Sequence, residues 1–354
     1  MFKNIFLYTP FLIFFLALAV DRILVTDSIR AYYTKTVSEL NFLHKPELFT
    51  ELKEYLQKKD RKKVLVFFGN SRSLLFDNEV IAKKYPEWIL FNFSVPGGTP
   101  DYFLYWLLKF KEQNIRPDFI IVDSAIEAFN LTATIKIDES INNGLDIPFV
   151  WKYRERFSKE ELTEFIAKRM FRTYQYRPKI LEIYNRAKNK GEILNNFLFF
   201  RGMVTDNLRR NRGSASGDFA QNRTSSENII ADFARGDYNS YLSPYNFHEE
   251  KIKFQEDILV ILNELAVPHA GIWVRVAPLY FNLIQNKKQK QKDNTEKSVL
   301  EIWKPRIFSM YKIHNTEIWN MNEGDFSCAQ FTDASHMATA CFPDYLEFIF
   351  KRLK

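Results

Sequence analysis

The chain has 354 residues, of which 46% are hydrophobic and 26% charged, a composition typical of a globular protein and unlike that of a polytopic membrane protein. Its formal net charge is +7, with lysine and arginine mixed with aspartate and glutamate along the chain. Since no basic stripe carries a recognisable nucleic-acid-binding motif, we expect no nucleic acid among the partners.

The N-terminus departs from this composition. Residues 5–20 contain no charge, and Lys3 precedes them. At about 1.5 Å per residue such a run comes close to crossing a hydrocarbon layer of about 30 Å, so we predict residues 1–25 to be a single-pass membrane anchor. Lys3 favours a cytoplasmic N-terminus and an extracytoplasmic (periplasmic) domain. The alternative is a cleaved signal peptide, for which Ala17-Leu18-Ala19 supplies a small-x-small site.

The next segments predict an α/β fold. Residues 26–60 have the amphipathic pattern of helix and are predicted to form a stalk or packing helix. Short apolar runs at 64–68, 89–93 and 119–122 predict strands, and residues 99–113 predict a helix that Thr99 caps and Pro100 begins. Alternating strands and helices with short turns are typical of a doubly wound parallel sheet, which we expect within residues 61–354.

The pattern is interrupted after residue 130. Residues 145–248 predict a mostly helical insertion with a flexible segment in the polar stretch 209–243, which holds Gly213–Gly217. A helix at 249–265 and strands at 272–276 and near 317–321 then return to the sheet pattern. The charged run at 285–297 is expected to be an exposed loop or helix end.

Residues able to perform chemistry follow the predicted strands. Ser71 comes directly after the first strand, at a turn where a following helix would supply backbone N–H groups. A serine hydroxyl needs a base and an orienting carboxylate, and Asp333 and His336 offer both at a spacing of three. The remaining histidines form no metal-ligand pair, so we expect no metal: His44, His248, His269 and His314.

The two cysteines of the chain, Cys328 and Cys341, flank the Asp333–His336 stretch. In an exported protein they could form a disulfide that closes this loop. Two free thiols packed as small hydrophobic groups are the alternative.

These residues resemble the blocks of the SGNH (GDSL-like) hydrolases. Gly69-Asn70-Ser71 is similar to the first block and Asp333-x-x-His336 to the last, while residues 92–99 are similar to the second. The resemblance implies a flavodoxin-like sheet, a Ser71–His336–Asp333 triad and no cofactor. It also implies an oxyanion hole formed by the N–H groups of Ser71 and Gly97, with Gly98 as the alternative to Gly97. In layout the chain resembles an exported bacterial family known as DUF1574.

The third block departs from the SGNH pattern. Where the family has G-x-N-D, this chain has a run from Asp123 to Asn130, and Asn130 is the candidate for the missing side-chain oxyanion donor. Losing one such donor typically costs about 3 to 4 kcal/mol of transition-state stabilisation. An α/β-hydrolase elbow, G-x-S-x-G, is excluded because Ser73 stands where its second glycine belongs.

The resemblance therefore implies a serine esterase or O-acyltransferase that acts on an O-acylated envelope glycan or lipid. The alternative is a catalytically inactive SGNH-like scaffold, which binds an envelope glycan or a protein partner through the aromatic-rich insertion.

Overall fold

A five-stranded parallel sheet forms the centre of the molecule in the computed structural model, which describes residues 5–33, 38–133, 140–177, 180–188, 190–215, 223–291, 294–324 and 326–353. Its strands run in the order β2-β1-β3-β4-β7. Two further short strands pair antiparallel as a hairpin. The strands are β1 Lys63–Phe68, β2 Trp88–Asn92, β3 Phe119–Asp123, β4 His269–Trp273, β5 Lys288–Lys290, β6 Glu296–Ser298 and β7 Glu317–Asn320.

Helices account for most of the remaining chain. The first four are α1 Ile5–Leu24, α2 Asp27–Arg30, α3 Leu40–Leu43 and α4 Lys45–Leu56, followed by α5 Asn78–Lys84 and α6 Pro100–Glu112. The insertion contains α7 Ile147–Lys152, α8 Lys159–Met170, α9 Arg172–Tyr176, α10 Ile180–Ala187, α11 Lys190–Arg210 and α12 Glu227–Asp237. The C-terminal part contains α13 Glu249–Leu265, α14 Pro278–Asn286, α15 Val299–Ile313 and α16 Phe342–Phe350.

The sheet is covered by helices on both faces, as expected for buried parallel strands. In β1 the side chains alternate between two cores: Val64, Val66 and Phe68 pack with α4, α6 and α13. Leu65 and Phe67 pack on the opposite face with α14, α15 and α16. The prediction of a mixed α/β fold around a parallel sheet is confirmed.

The predicted stalk is in part a packing helix of the domain. In α4, Leu48 and Leu52 are fully buried against the sheet core. The Lys45 ammonium, also buried, donates to the backbone carbonyls of Asn92 and Gly213. The folded domain thus begins before residue 61, because the apolar face of α4 lies on the sheet.

The insertion is mostly helical, and it packs on the domain at several points. Phe149 of α7 joins one core, and Ile230, Ala234 and Tyr238 join the other at helical spacing. The polar segment predicted to be flexible therefore contains a packed helix, α12. Part of that prediction, residues 216–222, lies outside the described residues.

Two local predictions are incomplete. Residues 285–297 are mostly exposed and contain the end of α14, as predicted, but they also form the β5–β6 hairpin, of which residues 292–293 are not described. The Gln289 side chain holds the hairpin by donating to Tyr238 Oη and Leu242 O, a contact that charge pattern alone does not reveal. The fourth strand begins at His269, three residues before the predicted start, since it pairs with β3 there.

The N-terminal helix α1 is exposed and apolar. Residues Phe6–Leu24, with a mean hydropathy of 1.8, are long and apolar enough to cross a membrane. Its C-terminal end is held by the insertion, because the buried Asp21 carboxylate accepts from Arg172 N and from the N–H and hydroxyl of Thr173.

Candidate active site

The structure brings Ser71, His336 and Asp333 together at the carboxyl end of the sheet, although Ser71 is more than 260 residues from the other two. Ser71 Oγ lies 2.7 Å from His336 Nε2. His336 Nδ1 lies 2.9 Å from each carboxylate oxygen of Asp333. This is the order of contacts in which a carboxylate fixes an imidazole and the imidazole faces a hydroxyl.

Asp333 is held as an anion by its surroundings. Burial raises the pKa of its carboxyl, but the hydrogen bond and charge of His336 and the N–H groups of Ser335 and His336 more than offset burial, so the pKa lies below its ordinary value. Oδ1 accepts from Ser335 N at 2.8 Å and from His336 N at 2.9 Å. The Asp-x-x-His spacing thus closes a turn that aims the carboxylate at its own histidine.

The loop that carries Asp333 and His336 is closed at its base. Phe331 and Met337 form a backbone bridge around it, and Ala338 N donates to Gln330 O. Cys328 and Cys341 form a disulfide, with a Cα–Cα distance of 5.6 Å, which decides between the two alternatives left open by the sequence. These contacts fix the direction in which the imidazole is presented.

Ser71 lies on a short 3₁₀ turn, Ser71–Ser73, which Asn70 caps by accepting from Arg72 N. The expected α-helix does not begin directly after it, because α5 starts only at Asn78, capped by Asp77. The backbone N–H groups that were predicted to come from a helix after Ser71 are therefore supplied by a single 3₁₀ turn.

The loop after β2 packs tightly against the serine turn. A Cβ on Gly98 would lie 2.4 Å from Gly69 O, so only glycine allows this approach. Gly98 N donates to Val95 O, whereas Gly97 adopts a left-handed φ of 62°. Both glycines line the same cavity as Ser71, so the lining alone does not separate the two candidate oxyanion donors.

A cavity of about 150 Å³ opens at Ser71 and His336. Its walls come from the turns after β1, β2 and β3, from the loop that carries Asp333 and His336, and from the insertion. The lining residues are Asn70, Ser71, Arg72, Gly97, Gly98, Thr99, Ala125, Glu127, Ala128, Tyr241, Ser335 and His336.

Asn130, the candidate side-chain oxyanion donor, is not among the residues that line this cavity. Its amide nitrogen donates to Tyr241 O at 2.7 Å and Pro244 O at 3.1 Å, and its oxygen accepts from Asn246 N. Both amide hydrogens are thus engaged in joining the end of the third block to the insertion.

A buried ion pair that was not predicted from the sequence lies beside the serine. Arg72 makes two hydrogen bonds to the Glu127 carboxylate, at 2.6 and 3.1 Å, and its Nε donates to Ser335 O at 3.1 Å. Tyr280 Oη donates to the same carboxylate. Burial raises the pKa of Glu127, but Arg72 more than offsets it and lowers the pKa below its ordinary value. The residue after Ser71 is thereby tied to the residue before His336.

The insertion also contacts the loop of His336. Ser335 Oγ donates to Asp237 Oδ2 at 2.7 Å, from the last residue of α12. Burial raises the pKa of that carboxyl. With Tyr241 in the cavity wall, the insertion shapes the entrance to the candidate site.

Comparison with known families identifies this chain. A family model described as "Protein of unknown function (DUF1574)" matches residues 1–353, while no curated protein matches the chain. The match spans the N-terminal helix, the sheet, the insertion and the loop of Asp333 and His336. The chain therefore belongs to the DUF1574 family.

Proposed function

We propose that this protein is a serine esterase or O-acyltransferase of SGNH type, with Ser71 as nucleophile, His336 as general base and acid, and Asp333 as the orienting carboxylate. The observation that carries the proposal is the 2.7 Å contact between Ser71 Oγ and His336 Nε2, with Asp333 behind the imidazole. Nucleophile, base and orienter in one chain of contacts are the signature of acyl transfer through a covalent intermediate.

The reaction follows from these contacts. Ser71 Oγ attacks the acyl carbonyl while its proton passes to His336 Nε2, and the bond to the leaving alcohol breaks as His336 returns that proton to the alcohol oxygen. An acceptor hydroxyl then attacks the acyl-serine and gives its proton to Nε2, and as the bond between the acyl carbon and Ser71 Oγ breaks, Nε2 returns that proton to Oγ. Water as acceptor gives an esterase, and a sugar hydroxyl gives an O-acyltransferase.

The oxyanion would be held by the backbone N–H groups of Ser71 and Gly97, both of which line the cavity. The tight approach of Gly98 to Gly69 supports this assignment because it keeps the two loops in register. An SGNH-type fold is part of the same proposal. It is supported by the order β2-β1-β3-β4-β7, which matches the flavodoxin-like order in which ligands bind beyond the carboxyl ends of the strands.

We further propose that α1 anchors the chain in the membrane and that the domain lies on the extracytoplasmic side. The Cys328–Cys341 disulfide supports export, because disulfides persist in oxidising compartments. An envelope location makes O-acylated glycans and lipids the substrates within reach.

The direct test is hydrolysis of a p-nitrophenyl acetate series by the full-length protein and by Ser71→Ala. We expect the substitution to lower kcat by about a thousandfold or more, since removing the nucleophile leaves only binding and oxyanion contributions. The control is Ser309→Ala, at an exposed serine of α15, which should retain activity. Undiminished turnover by Ser71→Ala would exclude Ser71 from the mechanism.

A second candidate is an inactive SGNH-like scaffold that binds an envelope glycan or a protein partner. The engagement of Asn130 favours it, because the side-chain donor of the third block is then missing from the cavity. In that case neither wild type nor Ser71→Ala would hydrolyse the esters above background, although both fold.

A further inference from the structure

The insertion carries an unusual concentration of exposed apolar side chains. Outside α1, the described residues include sixteen large apolar side chains that are exposed, and ten of them fall within residues 147–200. A monomeric soluble surface rarely gathers such groups, so their clustering points to a partner or a membrane. The ten are Ile147, Trp151, Ile166, Met170, Tyr174, Leu181, Tyr184, Leu198, Phe199 and Phe200.

The positive charge of the chain is concentrated in the same region. Residues 165–190 contain eight lysines and arginines and one acidic residue, a formal charge of +7, which equals that of the whole chain. The rest of the molecule is therefore close to neutral. The composition alone suggested that basic residues are mixed evenly with acidic ones. Their excess in fact falls within this one stretch of sequence.

This region lies against the end of α1. Asp21 accepts from the backbone at Arg172 and Thr173, and Arg22 donates to the carbonyls of Arg169 and Met170. Further along α1, the Phe14 ring meets the Phe171 ring edge-to-face at 6.3 Å. The junction of α8 and α9 is thus level with the last two to three turns of the apolar helix.

A second contact ties α11 to the segment that leaves α1. Arg201 pairs with Asp27 at 3.2 Å and with Glu39 at 3.2 Å. The exposed rings of Phe199 and Phe200 directly precede Arg201. The α8–α9 junction thus lies against the C-terminal end of α1, and α11 contacts the segment that follows α1. Exposed apolar side chains and basic residues occur together in this part of the insertion.

We infer that α8–α11 form a membrane-binding surface that lies in the headgroup layer of the leaflet at the C-terminal end of α1, and that this surface prefers anionic phospholipid. Apolar side chains would enter the boundary of the acyl chains while lysines and arginines meet lipid phosphates, as in interfacial helices. The inference rests on the proposed membrane location of α1 and is independent of the catalytic proposal.

The test uses nitroxide labels on the full-length protein in lipid nanodiscs. Both native cysteines are in a disulfide, so a label attaches only at a new cysteine. The test site is Leu181→Cys, and the matched control is Ile313→Cys, because the native side chains are 72% and 74% exposed. A third label, Ile13→Cys on α1, reports whether the helix spans the membrane.

In nanodiscs of phosphatidylcholine with phosphatidylglycerol, we expect the label at 181 to collide with oxygen far more often than with a water-soluble nickel complex, and the label at 313 to show the reverse. Replacing Lys188 and Arg177 by glutamine should lower the ratio of immersed to water-exposed label by ~5-fold for each charge removed.

Three results would overturn the inference. If the label at 13 is immersed while the label at 181 is water-exposed, the proposed anchor stands and the proposed membrane-binding surface is wrong. Water exposure at both sites would remove the anchor as well. Equal immersion at 181 in phosphatidylcholine alone would contradict the preference for anionic lipid.

Discussion

At the scale of single residues, Asp123 is a buried carboxyl whose environment opposes its charge. Asp123 ends β3, is buried, and lies close to Glu127 as well as Arg72. Burial is the largest effect, and it raises the pKa of Asp123 to about 7, although Arg72 and nearby backbone N–H groups act in the opposite direction. Within the described chain, neither of its oxygens meets hydrogen-bond geometry.

This environment makes stability depend on pH. Between the unfolded pKa of 3.8 and about 7, the folded state retains a proton on Asp123 that the unfolded state has lost, so the stability contributed by this group falls as pH rises through that window. Asp123→Asn keeps the shape and removes the charge. We expect the variant to be more stable than wild type at pH 8, by up to about 4 kcal/mol, and to converge with it near pH 4.

Urea denaturation of both proteins in detergent from pH 4 to pH 8 measures the difference. Parallel stability profiles would contradict the assignment of this pH dependence to Asp123.

The sequence could predict the three residues of the candidate triad because part of the pattern lies in short stretches of sequence. Asp333 and His336 are three residues apart, and Ser71 follows a strand whose end must face the edge where ligands bind. The environments of Arg72 and Asn130 could not be predicted in this way. Asn130 is engaged by carbonyls 111 and 114 residues further along the chain, and Arg72 by a loop more than 260 residues away.

At the scale of elements, the Arg72–Glu127 pair holds three segments in register. It joins the turn after β1 to the turn after β3 and, through Ser335 O, to the loop that presents His336. Because the pair is buried, each charge depends on the other, and removing one partner is far more costly than losing a surface ion pair.

We expect Glu127→Gln to lower the free energy of unfolding by about 3 to 5 kcal/mol, because Arg72 is left buried without a counter-charge. The matched control is Asp232→Asn, which breaks the exposed Arg235–Asp232 pair and should cost about 1 kcal/mol or less. Urea denaturation of the two variants and of wild type gives the comparison. A loss at Glu127 as small as that at Asp232 would contradict the role of the pair.

Elements differ in how far sequence predicts them. The strands of the central sheet are visible because both faces are buried, which makes each a continuous apolar run such as Val64–Phe68. Helix α12 has only Ile230 and Ala234 buried, and the buried Tyr238 directly follows it, within a polar stretch of sequence. The β5–β6 hairpin has no apolar alternation, since it is held by the polar side chain of Gln289.

At the scale of the whole molecule, the insertion contacts both the apolar helix α1 and the candidate active site. The junction of α8 and α9 lies against the end of the apolar helix α1. Further along the insertion, Asp237 contacts the His336 loop and Tyr241 lines the cavity. An enzyme built in this way would act on acyl groups close to the membrane. That expectation depends first on whether Ser71 is an activated nucleophile.

Labelling of the full-length protein with a fluorophosphonate tests this most directly. An activated serine displaces fluoride from phosphorus and forms a stable phosphonyl ester, as its proton passes to the neighbouring imidazole. Intact mass followed by peptide mapping should find one adduct, on Ser71, and none in Ser71→Ala. A folded protein that remains unlabelled, or that is labelled elsewhere while Ser71 stays unmodified, would contradict the account.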